Sequence, residues 1–224
     1  VLNNKKIMSK IALIAGASGL VGSYCLDYLV QSDKYEKVIC VTRRAIANSS
    51  PKLQQVIADT NNLAEKLNHI KADDVYCCIG TTIKKAGSQE AFKLVDFTYV
   101  KILAEQTKIN GATSFAVVSS IGADAKSFNF YLRTKGEMEK AVIACNFSKI
   151  VILRPSMLLG PRKEFRLGEE VGKLFMKIFS FLFVGKLKRY KAIEAYQVAK
   201  ALIYYTQKDF AGVKVVENDE MLYC

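Results

Sequence analysis

Tyr131 and Lys135, in the stretch YLRTK, stand four residues apart and so share one face of any helix that carries them. A phenol beside an ammonium can exchange protons. An ordinary phenol titrates near 10, and acid–base work near neutral pH needs that lowered by about 2–3 pH units, roughly 3–4 kcal/mol of differential stabilisation. A neighbouring ammonium favours the phenolate and supplies part of it. Spacing alone selects nothing, because Tyr196 with Lys200 and Tyr204 with Lys208 repeat it. Context separates Tyr131: it opens a helical pattern shortly after the strand-like run SFAVVSS, whose last residues, Ser119 and Ser120, would carry hydroxyls to the same sheet edge.

A second group lies near the N-terminus. In LIAGASGLVGSYCLDYLV, Gly16, Gly19 and Gly22 are spaced by three, where an apolar strand pattern turns into a helical one. Small residues at that junction permit a tight turn, close approach of backbone to a pyrophosphate, and tight packing of helix on strand. The helix-start amides around Ser18, Gly19, Leu20 and Val21 would face the phosphates. A secretory signal peptide is the competing reading of this stretch, and it would leave the sheet without its first strand.

The end of the second strand bears on which nucleotide is held. VTRR places Arg43 and Arg44 there, with no acid in reach. An acid would accept from ribose hydroxyls and repel a 2′-phosphate, whereas arginine clamps that phosphate in a bidentate way. NADP(H) is the expected cofactor. Asp59, ending the third strand, is placed for the adenine amino group or for capping the next helix.

These groups need a scaffold that brings strand ends together. Lys10–Gly16, Lys37–Thr42, Gln54–Asp59, Asp74–Gly80, Ser114–Ser120 and Lys149–Pro155 are short, apolar and β-branched, as strands buried on both faces should be. Helical patterns lie between them at Leu20–Ser32, Asn61–Ile70, Gln89–Asn110 and Tyr131–Cys145, and a later one covers Ala195–Gln207. Asn61 suits a helix cap, Gly111 a left-handed helix end, and Ala211–Asn218 a seventh strand. The alternation predicts an α/β doubly wound parallel sheet, a Rossmann fold whose ligands bind at the C-terminal strand edge. Residues 1–7 read as an unstructured leader, and 8–224 as one domain with residues 156–195 as a small substrate-covering segment.

Composition narrows the partners. The 224 residues carry 33 Lys and Arg against 21 Asp and Glu, a net +12 that favours anionic ligands. The lysines are dispersed and no nucleic-acid module is present, so nucleic acid is not expected. Six cysteines without a CxxC, and a single histidine, His69, predict no metal site; reduced thiols point to a cytoplasmic protein. The longest apolar run, Phe175–Gly185, is about half of the ~20 residues a spanning helix needs.

Taken together, the glycine trio, Ser119–Ser120, Tyr131 and Lys135 resemble the short-chain dehydrogenase/reductase superfamily, in its atypical branch with a GxxGxxG loop. The blocks CCIGTTIKKAGSQEAFKLVDFTYV, SSIGADAKSFNFYLRTKGEMEK, LRPSMLLGPR and EFRLGEE are similar to the oxidoreductase family of the Tat-interacting protein and its bacterial relatives, over essentially Lys10–Val216. That resemblance implies an NADPH-binding Rossmann fold with a Ser-Tyr-Lys site. Tyr131 would then donate a proton to a carbonyl oxygen, Lys135 would lower its pKa and hold the nicotinamide ribose, and Ser120, with Ser119 as the alternative, would hydrogen-bond the substrate. Gly80 and Thr81 would face the cofactor ribose or pyrophosphate. One departure stands out: where many members of the superfamily carry a relay asparagine, VDFTYV offers Asp96 and Tyr99.

The expected activity is an NADPH-dependent reductase of a carbonyl or similar acceptor. The alternative is an NADP(H)-sensing regulatory protein with little turnover, since the resembled family also holds regulatory binding proteins. The segment with Arg162, Arg166, Glu169 and the basic, aromatic run to Lys191 suits a lid, a homodimer face or a peripheral membrane contact.

Overall fold

The computed structural model describes residues 9–160 and 189–223. The expected leader and most of the expected substrate cover, including Arg162, Arg166 and Glu169, lie outside the described residues. The elements alternate as predicted: β1 (Lys10–Ala15), α1 (Leu20–Gln31), β2 (Tyr35–Thr42), β3 (Leu53–Ile57), α2 (Leu63–Leu67) and β4 (Asp74–Cys77) come first. The short α3 (Ile83–Ala86) precedes α4 (Gln89–Lys93), a π-helical turn (Leu94–Tyr99) and α5 (Val100–Ile109). There follow β5 (Ser114–Val118), α6 (Phe130–Ala144), β6 (Lys149–Arg154), β7 (Leu158–Leu159), β8 (Ile193–Glu194), α7 (Ala195–Gln207), β9 (Gly212–Glu217) and α8 (Asn218–Met221).

Seven strands form one sheet in the order β3-β2-β1-β4-β5-β6-β9, and the pairings are all parallel. The chain starts in the middle of the sheet and winds outward in both directions, so a crevice opens at the switch point between β1 and β4. Every strand presents its C-terminal end to the same edge. A separate two-stranded ribbon joins β7 to β8, pairing Leu158 with Ile193.

Both faces of the sheet are covered, which explains the nearly unbroken apolar strands. Ala12, Ile14, Tyr76 and Val151 face one way, packed by Val21, Cys25 and Leu29 of α1 and by Val198 and Leu202 of α7. Leu13, Val75, Phe115 and Ile152 face the other way, packed by Leu63 of α2, Leu103 of α5 and Val142 of α6.

Three local departures from expectation have physical causes. Helix α2 is shorter than Asn61–Ile70, because Asp59, Asn61 and Asn62 are spent on a hydrogen-bonded turn before it and His69 is left-handed after it. The long pattern Gln89–Asn110 is helical throughout, but its hydrogen bonding widens to π geometry over Leu94–Tyr99. Strand β4 stops at Cys77, and Gly80 and Thr81 lie in the loop beyond it. Gly111 has the expected left-handed backbone, φ 94°.

At the sheet edge opposite the crevice, four strand starts are clamped by one carboxylate. Asp74 of β4, 2% exposed, pairs with Lys10 Nζ of β1 at 3.0 Å. It also accepts from Tyr35 OH of β2 at 2.8 Å and from Ser114 Oγ of β5 at 2.6 Å. Tyr35 OH lies 2.7 Å from Tyr76 OH, and burial, with Asp74 next, holds the Tyr35 phenol well above its ordinary pKa. Replacing Asp74 with alanine strips partners from buried hydroxyls at about 1–3 kcal/mol each. Asp74→Ala is therefore expected to lower the melting temperature while leaving dinucleotide affinity unchanged, because the crevice is at the other edge; thermal melts with a fluorescence binding titration check both.

Candidate active site

The glycine loop is built by close approach. Gly16 turns with φ 88°, and a Cβ on it would meet the carbonyl carbon and oxygen of Cys78 at 2.6 Å. A Cβ on Gly22 would fall 2.1 Å from Gly16 O. Helix α1 therefore sits on β1, and β1 on the end of β4, with no room for a methyl group. Gly19 N donates to Gly16 O at 2.9 Å, and Gly19 occupies the N-cap of α1 with no side chain bonded to the helix-start amides. No acidic residue occupies the first turn. Such an uncapped, positive helix end is suited to a pyrophosphate. Ser18 and Gly19 are exposed at its mouth. Leu20 and Val21 have only backbone to offer: Val21 is in the core, and Leu20 lies beside Gly160.

The adenine end of the crevice is polar. Arg43 and Arg44 follow β2 and are exposed. Thr42 Oγ1 donates to Arg44 O at 2.8 Å, which fixes the backbone of the turn. The positive charge of Arg43 and the negative charge of Asp59 are both felt at the Tyr99 phenol, which burial above all holds far above its ordinary pKa. Asp59 is exposed, and its Oδ1 accepts from Asn61 N at 2.8 Å and Asn62 N at 3.3 Å, so that oxygen serves the turn before α2.

Helix α6 carries Tyr131 and Lys135. It is capped by Asn129, whose Oδ1 accepts from Leu132 N at 3.2 Å. The Tyr131 ring rests against Phe92 of α4, centroids 5.4 Å apart, and Phe92 is fully buried. Lys135, 4% exposed, points inward, and its Nζ lies 2.7 Å from Asp96 Oδ1. Burial alone would pull the lysine pKa down; Asp96 and then the Tyr131 phenol more than offset this, and the value lies above the ordinary one. One turn further, Glu139 accepts from Ser119 Oγ at 2.5 Å and from Arg154 Nη2 at 2.6 Å. Tyr131, Lys135 and Glu139 thus form one i, i+4, i+8 stripe whose lower two members are anchored.

Those bonds distinguish the two serines. Ser119 is buried and committed to Glu139, whereas Ser120 is half-buried and its hydroxyl makes only a 3.4 Å contact with Ile121 O. The loop after β5 reaches α6 because Gly136 has no side chain: a Cβ there would fall 2.1 Å from Ala125 N. The two other Tyr-Lys spacings are packing pairs. Lys200 Nζ and Lys208 Nζ lie over the rings of Tyr196 and Tyr204, at 5.9 and 4.4 Å from their centroids.

Sequence reasoning noted Asp96 only as a departure and missed Glu139, Arg154 and Gly136. Glu139 was findable, being on the Tyr131–Lys135 face; the pairing of Asp96 with Lys135 was not, because α-helical spacing does not anticipate a π turn. Among the described residues, no group of three or more His, Cys, Asp and Glu is arranged to hold a metal ion, and no helix is long and apolar enough to cross a membrane.

Known proteins share this architecture. MoeE5 in complex with UDP-glucuronic acid and NAD superposes with a TM-score of 0.68 at 19% identity, over 95% of this chain and 80% of that one. Protein FMP52, mitochondrial, from Candida albicans is 36% identical over 220 residues, 93% of this chain and 95% of its own. Protein HTATIP2 from Rattus norvegicus is 35% identical over 174 residues, 76% of this chain and 72% of its own. The fungal names correct the cytoplasmic expectation and point to mitochondria instead. Cys25, Cys40, Cys77, Cys78 and Cys145 are free thiols, and free thiols do not identify a compartment. Residues 12–186 match the NAD dependent epimerase/dehydratase family, and the chain belongs to that family, alongside the Tat-interacting protein relatives its central blocks resemble.

Proposed function

We propose that the protein is an NADPH-dependent oxidoreductase of the atypical short-chain type, reducing a carbonyl or similar small acceptor. The observation that carries this reading is the anchored Tyr131–Lys135 pair on α6, at the sheet edge where the glycine loop leaves an uncapped helix end. The crevice fits a dinucleotide: a methyl at Gly16 or Gly22 would collide with backbone, and unprotected amides of α1 face its mouth. When bound, NADPH would supply the hydride.

The residues of the chain do the rest. Gly16, Ser18, Gly19, Leu20, Val21 and Gly22 offer backbone to the pyrophosphate. Arg43 and Arg44 take the 2′-phosphate, and Asp59 meets the adenine amino group through the oxygen its turn leaves over. Gly80 and Thr81 line the ribose side. Ser120, the serine not committed to Glu139, hydrogen-bonds the acceptor oxygen. Tyr131 donates its proton to that oxygen, and the adjacent Lys135 ammonium stabilises the phenolate left behind and holds the nicotinamide ribose. Residues 156–195 serve as the substrate cover of a single domain, and the β7–β8 ribbon ties the two ends of that segment together beside the glycine loop.

Two substitutions test this. Tyr131→Phe is expected to reduce turnover by about 10²–10⁴-fold while leaving NADPH affinity intact, measured as NADPH consumption against aldehydes, ketones and quinones. Binding by the parent protein with no turnover on any of them would replace the reductase with a cofactor-sensing role. Arg43→Asp is expected to cut the preference for NADPH over NADH by roughly 10- to 150-fold, the equivalent of the ~1.5–3 kcal/mol of charge-assisted bonds. Paired dissociation constants for the two cofactors check it, and an unchanged ratio removes Arg43 from the phosphate site.

A further inference from the structure

Asp96 is fully buried on the π turn, and its two oxygens face two different elements. Oδ2 accepts from Thr81 N at 2.8 Å, in the loop after β4. Oδ1 lies 2.7 Å from Lys135 Nζ on α6. Gly80 closes a third side: a Cβ there would stand 3.6 Å from Oδ1 and 3.8 Å from Nζ. Among the described residues, Oδ1 is the buried side-chain polar atom that lacks an aligned hydrogen bond, so charge more than alignment holds the pair.

A buried ammonium with no counter-ion tends to lose its proton. The titratable groups acting on Lys135 are Asp96 from the π turn, Tyr131 from its own helix and Cys77 from β4. Glu139, one turn along α6, is bound to Arg154. Burial pushes the Cys77 thiol up to about 12, so it carries no charge near neutral pH. The Tyr131 phenol carries none until it ionises. Asp96 is thus the acid in this set that faces the Lys135 ammonium directly, at 2.7 Å.

We propose that Asp96 is a positioning residue: it keeps Lys135 charged and ties that charge to the Gly80–Thr81 loop, so one carboxylate sets both the cofactor-facing backbone and the proton-exchanging helix. The chemical purpose rests on the reductase reading above, but the electrostatic role is measurable without turnover. Because the lysine pKa is raised in the folded protein, the pair stabilises the fold fully below the ordinary lysine value. The contribution is lost as pH rises through the folded one.

The test is Asp96→Asn in the full chain with ¹³C-labelled lysine, with Lys135→Met identifying the resonance. The Lys135 titration midpoint is expected to fall by about 1–3 pH units. NADPH affinity should weaken above the new midpoint, and the alkaline limb of kcat/KM should move with it. An unchanged midpoint overturns the proposal, whatever the activity. A lowered midpoint in the variant, with no turnover by the parent protein on any acceptor, upholds it and overturns the reductase reading instead. If Asp96→Asn does not fold, Asp96→Asn with Lys135→Met removes both charges. Recovery of the melting temperature then supports the pairing, and no recovery overturns it.

Discussion

Helix α1 and strand β1 approach until Gly22 touches the carbonyl of Gly16, and the same turn rests on the backbone of Cys78. Three elements meet there without a side chain between them, and the rest of the crevice is laid out from that contact. It fixes where the first amides of α1 emerge, hence where a phosphate can be met. It also fixes the height of the β4 end relative to β1, and with it the loop that reaches Asp96. Close packing of this kind tolerates almost no relaxation, since the colliding atoms are backbone. A parallel sheet carries the placement outward: with every strand running the same way, functional groups separated by more than a hundred residues arrive at one edge.

The second half of the site is held by side chains. Helix α6 is fixed in rotation by two buried acids at successive turns, one reached by Lys135 and one belonging to the helix itself. Glu139 brings in Ser119 and Arg154, and Arg154 reaches Glu217 of β9 at 3.4 Å. The rotation of α6 is thereby tied to the far strands of the sheet. Tyr131, at the open end of the stripe, is steadied by packing on Phe92. Reactive groups with few polar bonds of their own can be positioned this way, by neighbours that are fully bonded.

Much of this was readable in the chain. The apolar strands and the glycine trio announce a doubly wound sheet because burial on both faces and phosphate approach each demand particular residue types. Context rather than spacing singled out Tyr131 from Tyr196 and Tyr204, whose lysines lie over ring faces. Which of Ser119 and Ser120 is bonded to Glu139 was not readable, because it depends on the rotation of α6 against the end of β5. Nor was the clamp on Asp74 readable: its partners Lys10, Tyr35 and Ser114 look unrelated until the strand order places them side by side. Compartment was misread, since a thiol count cannot tell one reducing space from another.

The π turn makes part of the site depend on residue count as well as residue type. A helix that carries one residue more than its α-helical hydrogen bonds can absorb must widen locally, and here the widened stretch contains both Asp96 and Tyr99. Loss of one residue between Leu94 and Tyr99 would let the helix close into regular α geometry, leaving its two flanks nearly in phase while re-aiming the side chains of the widened stretch. The core side of α5 and the sheet have reason to hold their places, so Asp96 would be carried away from Lys135. A one-codon deletion is therefore a route by which a chain of this fold could keep its glycine loop and its crevice yet lose the Asp96–Lys135 ion pair.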